Sequence, residues 1–141
     1  MAYTVSDFMT RELVTVAPDD PLRRAVDAMQ ERGCRRLPVL ENDCLVGIIS
    51  DRDVRLALMS PFVLRERWYD EALLDNMPIR TCMATDVLTV SSDTLLIQAA
   101  ELMRDRKIGG LPVVDDGRLV GIITETDVLD ALIRLLEQPG M

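Results

Sequence analysis

The sequence predicts a mixed α/β (α+β) fold, in which two β-α-β-β-α repeats pack about a pseudo-twofold axis. Three features support this prediction: an internal repeat, apolar positions spaced for one helix face in each half, and paired apolar segments separated by turn residues. Shifting the chain by 74 residues aligns 9–58 with 83–132 without a gap, and about 20 of the 50 aligned positions are identical. The chain therefore contains one unit twice.

Each repeat begins with a short extended segment, 13–16 or 87–90, and continues into a helix. Asp20 and Pro21 predict the first helix start, because proline suits the first helical position and aspartate accepts hydrogen bonds from free N–H groups. Apolar side chains then recur at positions i, i+3, i+4 and i+7, which form one helix face. These are Leu22, Ala25, Val26 and Met29 in the first repeat and Leu96, Ala99, Ala100 and Met103 in the second.

Two strands and a second helix complete each repeat. The predicted strands are 37–40 and 45–49 in the first repeat and 111–114 and 119–123 in the second. Asp116-Gly117 is a strong hairpin signal, because glycine accepts positive φ, and Asn42-Asp43 occupies the matching turn. The return strands are apolar throughout, as expected when both faces are covered.

The predicted boundaries are 5–60 for the first repeat, 79–136 for the second and 61–78 for a connecting segment. Pro61 breaks the chain at the end of the first repeat, and a helix around Trp68 is predicted in the connection. Because each repeat has only about 50 residues, neither is expected to be stable alone.

Composition excludes several classes of function. A net charge of −8 and a pI near 4.5 argue against binding to nucleic acids or acidic membranes. Histidine is absent, and the sequence shows no metal-ligand cluster, phosphate-binding glycine loop or paired nucleophile and base. We therefore expect no catalytic residues, no bound metal, no required cofactor and no enzymatic activity.

Cysteine usage and hydropathy indicate the compartment. Cys34, Cys44 and Cys82 show no CxxC spacing, and no secretory signal is recognisable at the N-terminus. No apolar run approaches the roughly 18–20 residues that a membrane helix needs. The sequence therefore predicts a soluble cytoplasmic protein with reduced thiols.

The two junctions between strand and second helix share a motif, GIISDRD at 47–53 and GIITETD at 121–127. In each, an aspartate follows a hydroxyl residue by three positions. A carboxylate can accept two hydrogen bonds from the cis-diol of a ribose. A helix N-terminus favours a nearby anion such as phosphate, and the serine or threonine adds a donor. The glycine that opens each motif permits a close backbone approach.

A structural explanation of the same motif stays open. The spacings S-x-x-D and T-x-x-D are also typical of a capping box, in which the hydroxyl caps the helix and the acidic side chain reaches back. Such a cap contributes about 1 kcal/mol, which is enough to account for the residues without a ligand.

With these motifs in place, the chain resembles a tandem pair of CBS (cystathionine β-synthase) domains, also called a Bateman module. The resemblance covers about residues 5–134. It rests on the sequence LPV, which occurs in a predicted strand of each repeat at 37–39 and 111–113, and on the duplicated strand-to-helix motif. It implies two symmetric clefts between the repeats, where adenine ligands such as AMP, ADP, ATP, S-adenosylmethionine or NAD bind. It also implies a disc-shaped dimer and a regulatory role, usually toward an attached enzyme or channel.

The resemblance assigns roles to individual residues. Asp53 and Asp127 are expected to hold ribose hydroxyls, with Ser50 and Thr124 contacting ribose or phosphate. Further expected contacts are Arg35 and Arg36 to phosphate, and an adenine pocket formed by Met9, Val14, Cys34, Ile48, Met83, Leu88, Ile108, Gly109, Gly110 and Ile122. The arginines are alternatively solvated surface residues, and the methionines core filler. Because the Asp53 cleft would have the arginines on its own side and the glycines opposite, we expect it to be the better nucleotide site.

Two hypotheses of function follow. The first is a regulatory module that senses an adenine nucleotide, is homodimeric and signals to an unidentified protein target. The alternative is a ligand-free interaction module with capped junctions. Both explain the broad apolar face of the last helix, formed by Val128, Leu129, Leu132, Ile133, Leu135 and Leu136.

Overall fold

A computed structural model describes residues 2–59 and 67–138 of the chain. Within these ranges, five α-helices accompany two separate antiparallel sheets of two strands each. The helices are α1 (Leu22–Arg32), α2 (Asp51–Leu58), α3 (Arg67–Asn76), α4 (Leu96–Arg106) and α5 (Glu125–Glu137). The strands are β1 (Arg36–Glu41), β2 (Cys44–Ser50), β3 (Gly110–Asp115) and β4 (Arg118–Thr124). The predicted mixed fold is confirmed.

The chain divides into two compact units, each of which combines one repeat with a segment from elsewhere. The first-repeat unit comprises the described residues between Val14 and Val87. The second-repeat unit joins those up to Leu13 with those from Leu88 onward. Each unit therefore contains one hairpin together with the short segment that begins the other repeat. The limits 5–60 and 79–136 remain a prediction about the sequence repeat.

Both hairpins turn where the sequence predicts. Asn42 and Asp43 have φ of 52° and 64°, and Asp116 and Gly117 have φ of 51° and 78°. Two consecutive positive φ angles define the type I′ turn, whose twist matches that of the flanking strands. In the first hairpin a bulge lies just after Val39, and the second has its bulge at the matching position.

The extended segment before α1 forms a single bridge rather than a strand. Val16 N donates to Pro38 O at 3.1 Å, and Leu40 N donates to Val16 O at 2.9 Å. Because Pro18 has no N–H group, it cannot donate the next bond that a ladder would need. The matching residue Val90 likewise forms an isolated bridge.

The prediction that Asp20 caps α1 is wrong. The helix begins at Leu22, and Asp20 Oδ2 instead accepts from Ala17 N at 2.9 Å. The free N–H of Leu22 donates to Met77 O at 2.9 Å, so a backbone carbonyl of the same unit replaces the side-chain cap. In the other unit Leu96 N donates to Tyr3 O, also at 2.9 Å.

A helix occupies part of the predicted connection, and the portion before residue 67 lies outside the described residues. This helix, α3, is fastened to α1 by Arg23, which forms ion pairs with Glu71 and Asp75. Beyond α3, Arg80 pairs with Asp19 at 2.9 Å. The connecting segment is thus bound to the first repeat by charge as well as by packing.

Each unit has its own apolar core. Val5 belongs to the second-repeat core and Ile79 to the first-repeat core, and both are fully buried. The two residues occupy matching positions of the 74-residue repeat. The short preceding segments are therefore core components of the units they join.

Candidate functional site

The two strand-to-helix junctions have the geometry of a capping box. Ser50 N donates to Asp53 Oδ2 at 2.9 Å, while Asp53 N donates to Ser50 Oγ at 3.1 Å. Thr124 N donates to Asp127 Oδ2 at 2.9 Å, and Asp127 N donates to Thr124 Oγ1 at 3.4 Å. These bonds satisfy N–H groups at the starts of α2 and α5. The capping interpretation is therefore confirmed as one role of the motif.

Capping leaves part of the Asp53 carboxylate available. The bond from Ser50 N uses Oδ2, and among the described residues no donor reaches Asp53 Oδ1. A carboxylate offers about four lone-pair positions, so one capping bond does not saturate it. Asp53 is also only partly buried. The same side chain can cap α2 and still accept hydrogen bonds from a ligand.

The arginine pair of the first-repeat unit lies beside this junction. Arg36 is opposite Ser50 in the β1–β2 register, and Arg35 O accepts from Asp51 N at 2.9 Å. In the part of the chain that the structure describes, neither guanidinium forms an ion pair. The backbone of this arginine pair thus lies beside the start of α2, whose N-terminus favours an anion and whose first turn also carries Asp51 and Asp53.

Glycines occupy the matching places in the second-repeat unit. Gly110 is opposite Thr124, and Gly109 O accepts from Glu125 N at 3.0 Å. Both glycines are buried, whereas Ile108 before them is half-buried. The second junction therefore has the same backbone geometry as the first but lacks its local positive charge.

A short segment runs along the return strand in each unit. Ile48 N donates to Ala84 O at 3.0 Å, and Ala84 N donates to Ile48 O at 2.9 Å. In the other unit Ile122 pairs with Thr10 in the same way, at 3.0 Å and 2.8 Å. The residue before each bridge is a methionine predicted for the adenine pocket, and Met9 is buried in the second-repeat core.

The motif glycines accommodate these segments. A Cβ atom on Gly47 would lie 2.8 Å from both Ala84 O and Met83 Sδ. On Gly121 it would lie 2.9 Å from Thr10 O. The close backbone approach that the sequence predicts at each glycine is thus made by the protein's own chain.

The remaining predicted pocket residues are more dispersed. Val14 and Cys34 pack against the first-repeat core, and Ile122 is buried in the second-repeat unit. Leu88 is 37% exposed. The structure thus gathers the polar site residues of each unit around its junction, while several of the apolar ones serve the cores.

Cys82 is an electrostatic neighbour of the first junction. Burial raises the pKa of its thiol, and the Asp53 carboxylate raises that pKa further. Its Sγ lies 3.4 Å from Met77 Sδ. Both effects disfavour the thiolate form of Cys82, which is the nucleophilic form of a cysteine.

One polar residue of the second site was not predicted from the sequence. Thr10 Oγ1 donates to Asp127 Oδ1 at 3.1 Å and approaches Oδ2 at 3.3 Å. The repeat alignment contains the relevant signal, because Thr10 matches Ala84, which has no hydroxyl. The two junctions therefore differ in the donors available to their aspartates.

The described residues contain neither a metal-binding cluster nor a membrane-spanning helix. No group of three or more cysteine, aspartate or glutamate side chains is placed to hold a metal ion. Within the same residues, every helix is too short or too polar to cross a bilayer.

Comparison with known proteins identifies the repeats. The CBS domain family matches residues 5–60 and again residues 79–134. A CBS domain-containing protein of Dictyostelium discoideum is 38% identical over 139 residues, which cover 97% of this chain and 96% of that protein.

Solved structures agree with this match. The CBS-pair protein CBSX2 of Arabidopsis thaliana, solved in complex with AMP, has a TM-score of 0.78 and 33% identity, over 96% of this chain and 99% of that one. The CBS domain pair of protein MJ0100, in complex with 5′-methylthioadenosine and S-adenosyl-L-methionine, has a TM-score of 0.80 and 25% identity, with coverage of 96% and 99%. Two family matches span most of the chain, and relatives agree in length and fold. The chain therefore belongs to the CBS domain family and carries two copies of that domain.

Proposed function

We propose that this CBS pair is a regulatory, non-catalytic module that binds an adenine-containing nucleotide at its strand-to-helix junctions. The proposed ligand class includes AMP, ADP, ATP, S-adenosylmethionine and NAD. Ser50 and Asp53 in one unit, and Thr124 and Asp127 in the other, would bind ribose and phosphate. Bound nucleotide would favour one conformation of the pair, which a protein target then recognises.

The observation that carries this proposal is that the Asp53 carboxylate has an oxygen with no donor among the described residues, at a junction where the backbone pairs with Arg35 and Arg36. Asp53 Oδ1 receives no hydrogen bond from the described residues, and Arg35 and Arg36 lie next to the start of α2. A ribose diol needs a carboxylate acceptor, and a phosphate pairs well with guanidinium groups. The chain is acidic overall, so these arginines supply the local charge that an anionic ligand requires.

The same observation favours unequal sites. The second-repeat junction has glycines where the first has arginines. Its aspartate also accepts a hydrogen bond from Thr10. We propose that the Asp53 site binds the nucleotide more tightly than the Asp127 site. AMP bound to a relative, and S-adenosyl-L-methionine bound to another, support the adenine class.

We expect one adenine ligand to raise the melting temperature of the protein. At about 100 times its dissociation constant, a ligand that binds only the folded state adds about 2.7 kcal/mol to the free energy of unfolding. Melting is measured with AMP, ADP, ATP, S-adenosylmethionine, NAD and guanine nucleotides. Asp53→Ala is expected to reduce the shift to the smaller part that the Asp127 site contributes, and Asp127→Ala to reduce it less.

A conservative variant separates binding from capping. Asp53→Asn keeps an oxygen that accepts from Ser50 N but loses the charge, so its ligand-free melting temperature should stay near that of the wild type. The ligand-induced shift should still fall as far as it does in Asp53→Ala. If no nucleotide shifts the melting temperature, and both alanine variants merely lower it, the junctions are caps and the sensor proposal fails.

We also propose that the module is a homodimer that uses the apolar face of α5. Leu129, Ile133 and Leu136 are 56%, 52% and 76% exposed in the single chain. Exposed apolar side chains concentrated on one helix are typical of an interface. This face equally suits the interaction-module alternative, in which a protein partner binds α5 and the junctions act only as caps.

Leu132→Asp is expected to convert the dimer to a monomer. Leu132 is 49% exposed on α5, so a charge there should disrupt association while leaving the fold intact. The mass is measured by light scattering across a concentration series. Glu137→Asp, a charge-preserving change on the same helix, is the control. A wild type that is monomeric at every concentration would contradict the homodimer proposal.

A further inference from the structure

Thr10 connects two distant parts of the sequence through a single side-chain contact. Its hydroxyl lies 3.1 Å from Asp127 Oδ1 and 3.3 Å from Oδ2, although 117 residues separate the two in the chain. The backbone of Thr10 is held by its paired bonds to Ile122. The hydroxyl is thus held against the carboxylate that our proposed function assigns to ribose.

Among the described residues, the Asp127 carboxylate accepts more hydrogen bonds than the Asp53 carboxylate does. Its Oδ2 accepts from Thr124 N at 2.9 Å and from Thr124 Oγ1 at 3.1 Å, and its Oδ1 accepts from Thr10. Asp53 accepts only from Ser50 N among the described residues. Since a carboxylate has about four acceptor positions, a cis-diol finds room on Asp53 but competes with existing donors on Asp127.

The first-repeat unit provides a natural comparison. Ala84 occupies the place of Thr10, and its bonds to Ile48 match those between Thr10 and Ile122 within a few tenths of an ångström. Ala84 is exposed, as is Thr10. The backbone at the two places is therefore equivalent, and the hydroxyl group is the chemical difference.

We infer that Thr10 is a built-in competitor of the ribose at Asp127 and that it determines how many nucleotides the module holds. The inference rests on the proposed function, because it assumes that both aspartates bind a cis-diol. A nucleotide entering the second-repeat unit must displace the Thr10 hydroxyl, whereas one entering the first-repeat unit displaces no such group. The Thr10 hydroxyl thereby adds to the difference in nucleotide affinity that the arginines and glycines at the two junctions already favour.

The size of the effect follows from the bond that is exchanged. A hydrogen bond to a charged group is stronger than one between neutral groups. Because Thr10 is exposed, water can solvate the displaced hydroxyl and offset part of the loss. We expect the net penalty to be about tenfold in the dissociation constant for AMP.

The experiment measures AMP binding by titration calorimetry with one junction disabled at a time. In an Asp53→Asn background only the Asp127 site is present, and adding Thr10→Val should tighten AMP binding about tenfold. Valine has the shape of threonine without its hydroxyl, so packing is preserved. Thr10→Ser, which keeps the hydroxyl, should retain the weak affinity. In an Asp127→Asn background, Ala84→Thr should weaken binding at Asp53 about tenfold.

The outcomes separate this inference from the proposed function. If Asp127→Asn binds AMP normally, but Thr10→Val does not tighten binding in the Asp53→Asn background, the competitor role is wrong and the sensor stands. If Asp127→Asn fails to bind AMP while Asp53→Asn binds it, and binds it more tightly with Thr10→Val, the competitor role holds and the assignment of the tighter site is wrong. If no variant and no wild-type protein binds AMP, both are overturned.

Discussion

Replacing Ile79 with alanine is expected to lower the free energy of unfolding by about 2–5 kcal/mol. Ile79 lies outside the repeat whose core it fills, yet its side chain is fully buried among first-repeat residues. Removing its methyl groups loses their transfer free energy and leaves a cavity, because a packed core relaxes only partly. The loss is measured by urea denaturation followed by circular dichroism.

Ile97→Ala provides the matched control for this measurement. It makes the same chemical change on α4, where the side chain is 65% exposed, so its effect should stay within about 0.5 kcal/mol. Hydrogen exchange shows which part of the structure loses stability in Ile79→Ala. Amide protection should fall in α1 and β1 before it falls in α4, since Ile79 packs only in the first-repeat core. Equal effects from Ile79→Ala and Ile97→Ala would contradict this assignment.

Val5 is the corresponding residue in the second-repeat unit. It matches Ile79 in the repeat alignment and is fully buried in the second-repeat core. A boundary drawn between the repeats along the sequence therefore separates each core from one of its own side chains. Local hydrophobic periodicity could not reveal this, because it identifies a buried residue without identifying the core that buries it.

Other parts of the fold were predictable because their causes are local. The type I′ turns depend on residues that tolerate positive φ, and Asn42-Asp43 and Asp116-Gly117 carry that information in the chain itself. The cap of α1 was not predictable, since the acceptor of the Leu22 N–H is a carbonyl 55 residues away. The sequence around Asp20 predicts that its side chain accepts a hydrogen bond at the start of α1, but in the folded chain Met77 O accepts the bond from Leu22 N.

In the candidate site, too, the features with a local cause were predictable and those that depend on tertiary contacts were not. The strand-to-helix motifs, with their hydroxyl and carboxylate three residues apart, form the capping boxes that their spacing predicts. The contact from Thr10 to Asp127 was not predictable, because it depends on which unit the N-terminal segment joins. The alignment of Thr10 with Ala84 shows that only one repeat has a hydroxyl at this position, but it does not show that the hydroxyl contacts Asp127.

Gly47→Ala is expected to destabilise the first-repeat unit by about 2–4 kcal/mol, through overpacking and the loss of two backbone hydrogen bonds. The added Cβ would lie 2.8 Å from Ala84 O. Side chains can rotate away from such a contact, but this atom belongs to the backbone and accepts from Ile48 N. The segment must therefore shift as a whole. Urea denaturation measures the stability, and hydrogen exchange follows the amides of Ile48 and Ala84.

Gly117→Ala separates this clash from the ordinary cost of replacing a glycine. No atom lies within 4 Å of the Cβ position on Gly117, but its φ of 78° makes alanine unfavourable by about 1–2 kcal/mol. It should therefore lower stability without exposing the amides of Ile48 and Ala84. If the two variants leave these amides equally protected, the bridge between Ile48 and Ala84 is not the reason for a glycine at position 47. Loss of protection in Gly47→Ala alone would mean that position 47 needs a glycine so that the segment containing Ala84 can pair with β2, whether or not a nucleotide binds.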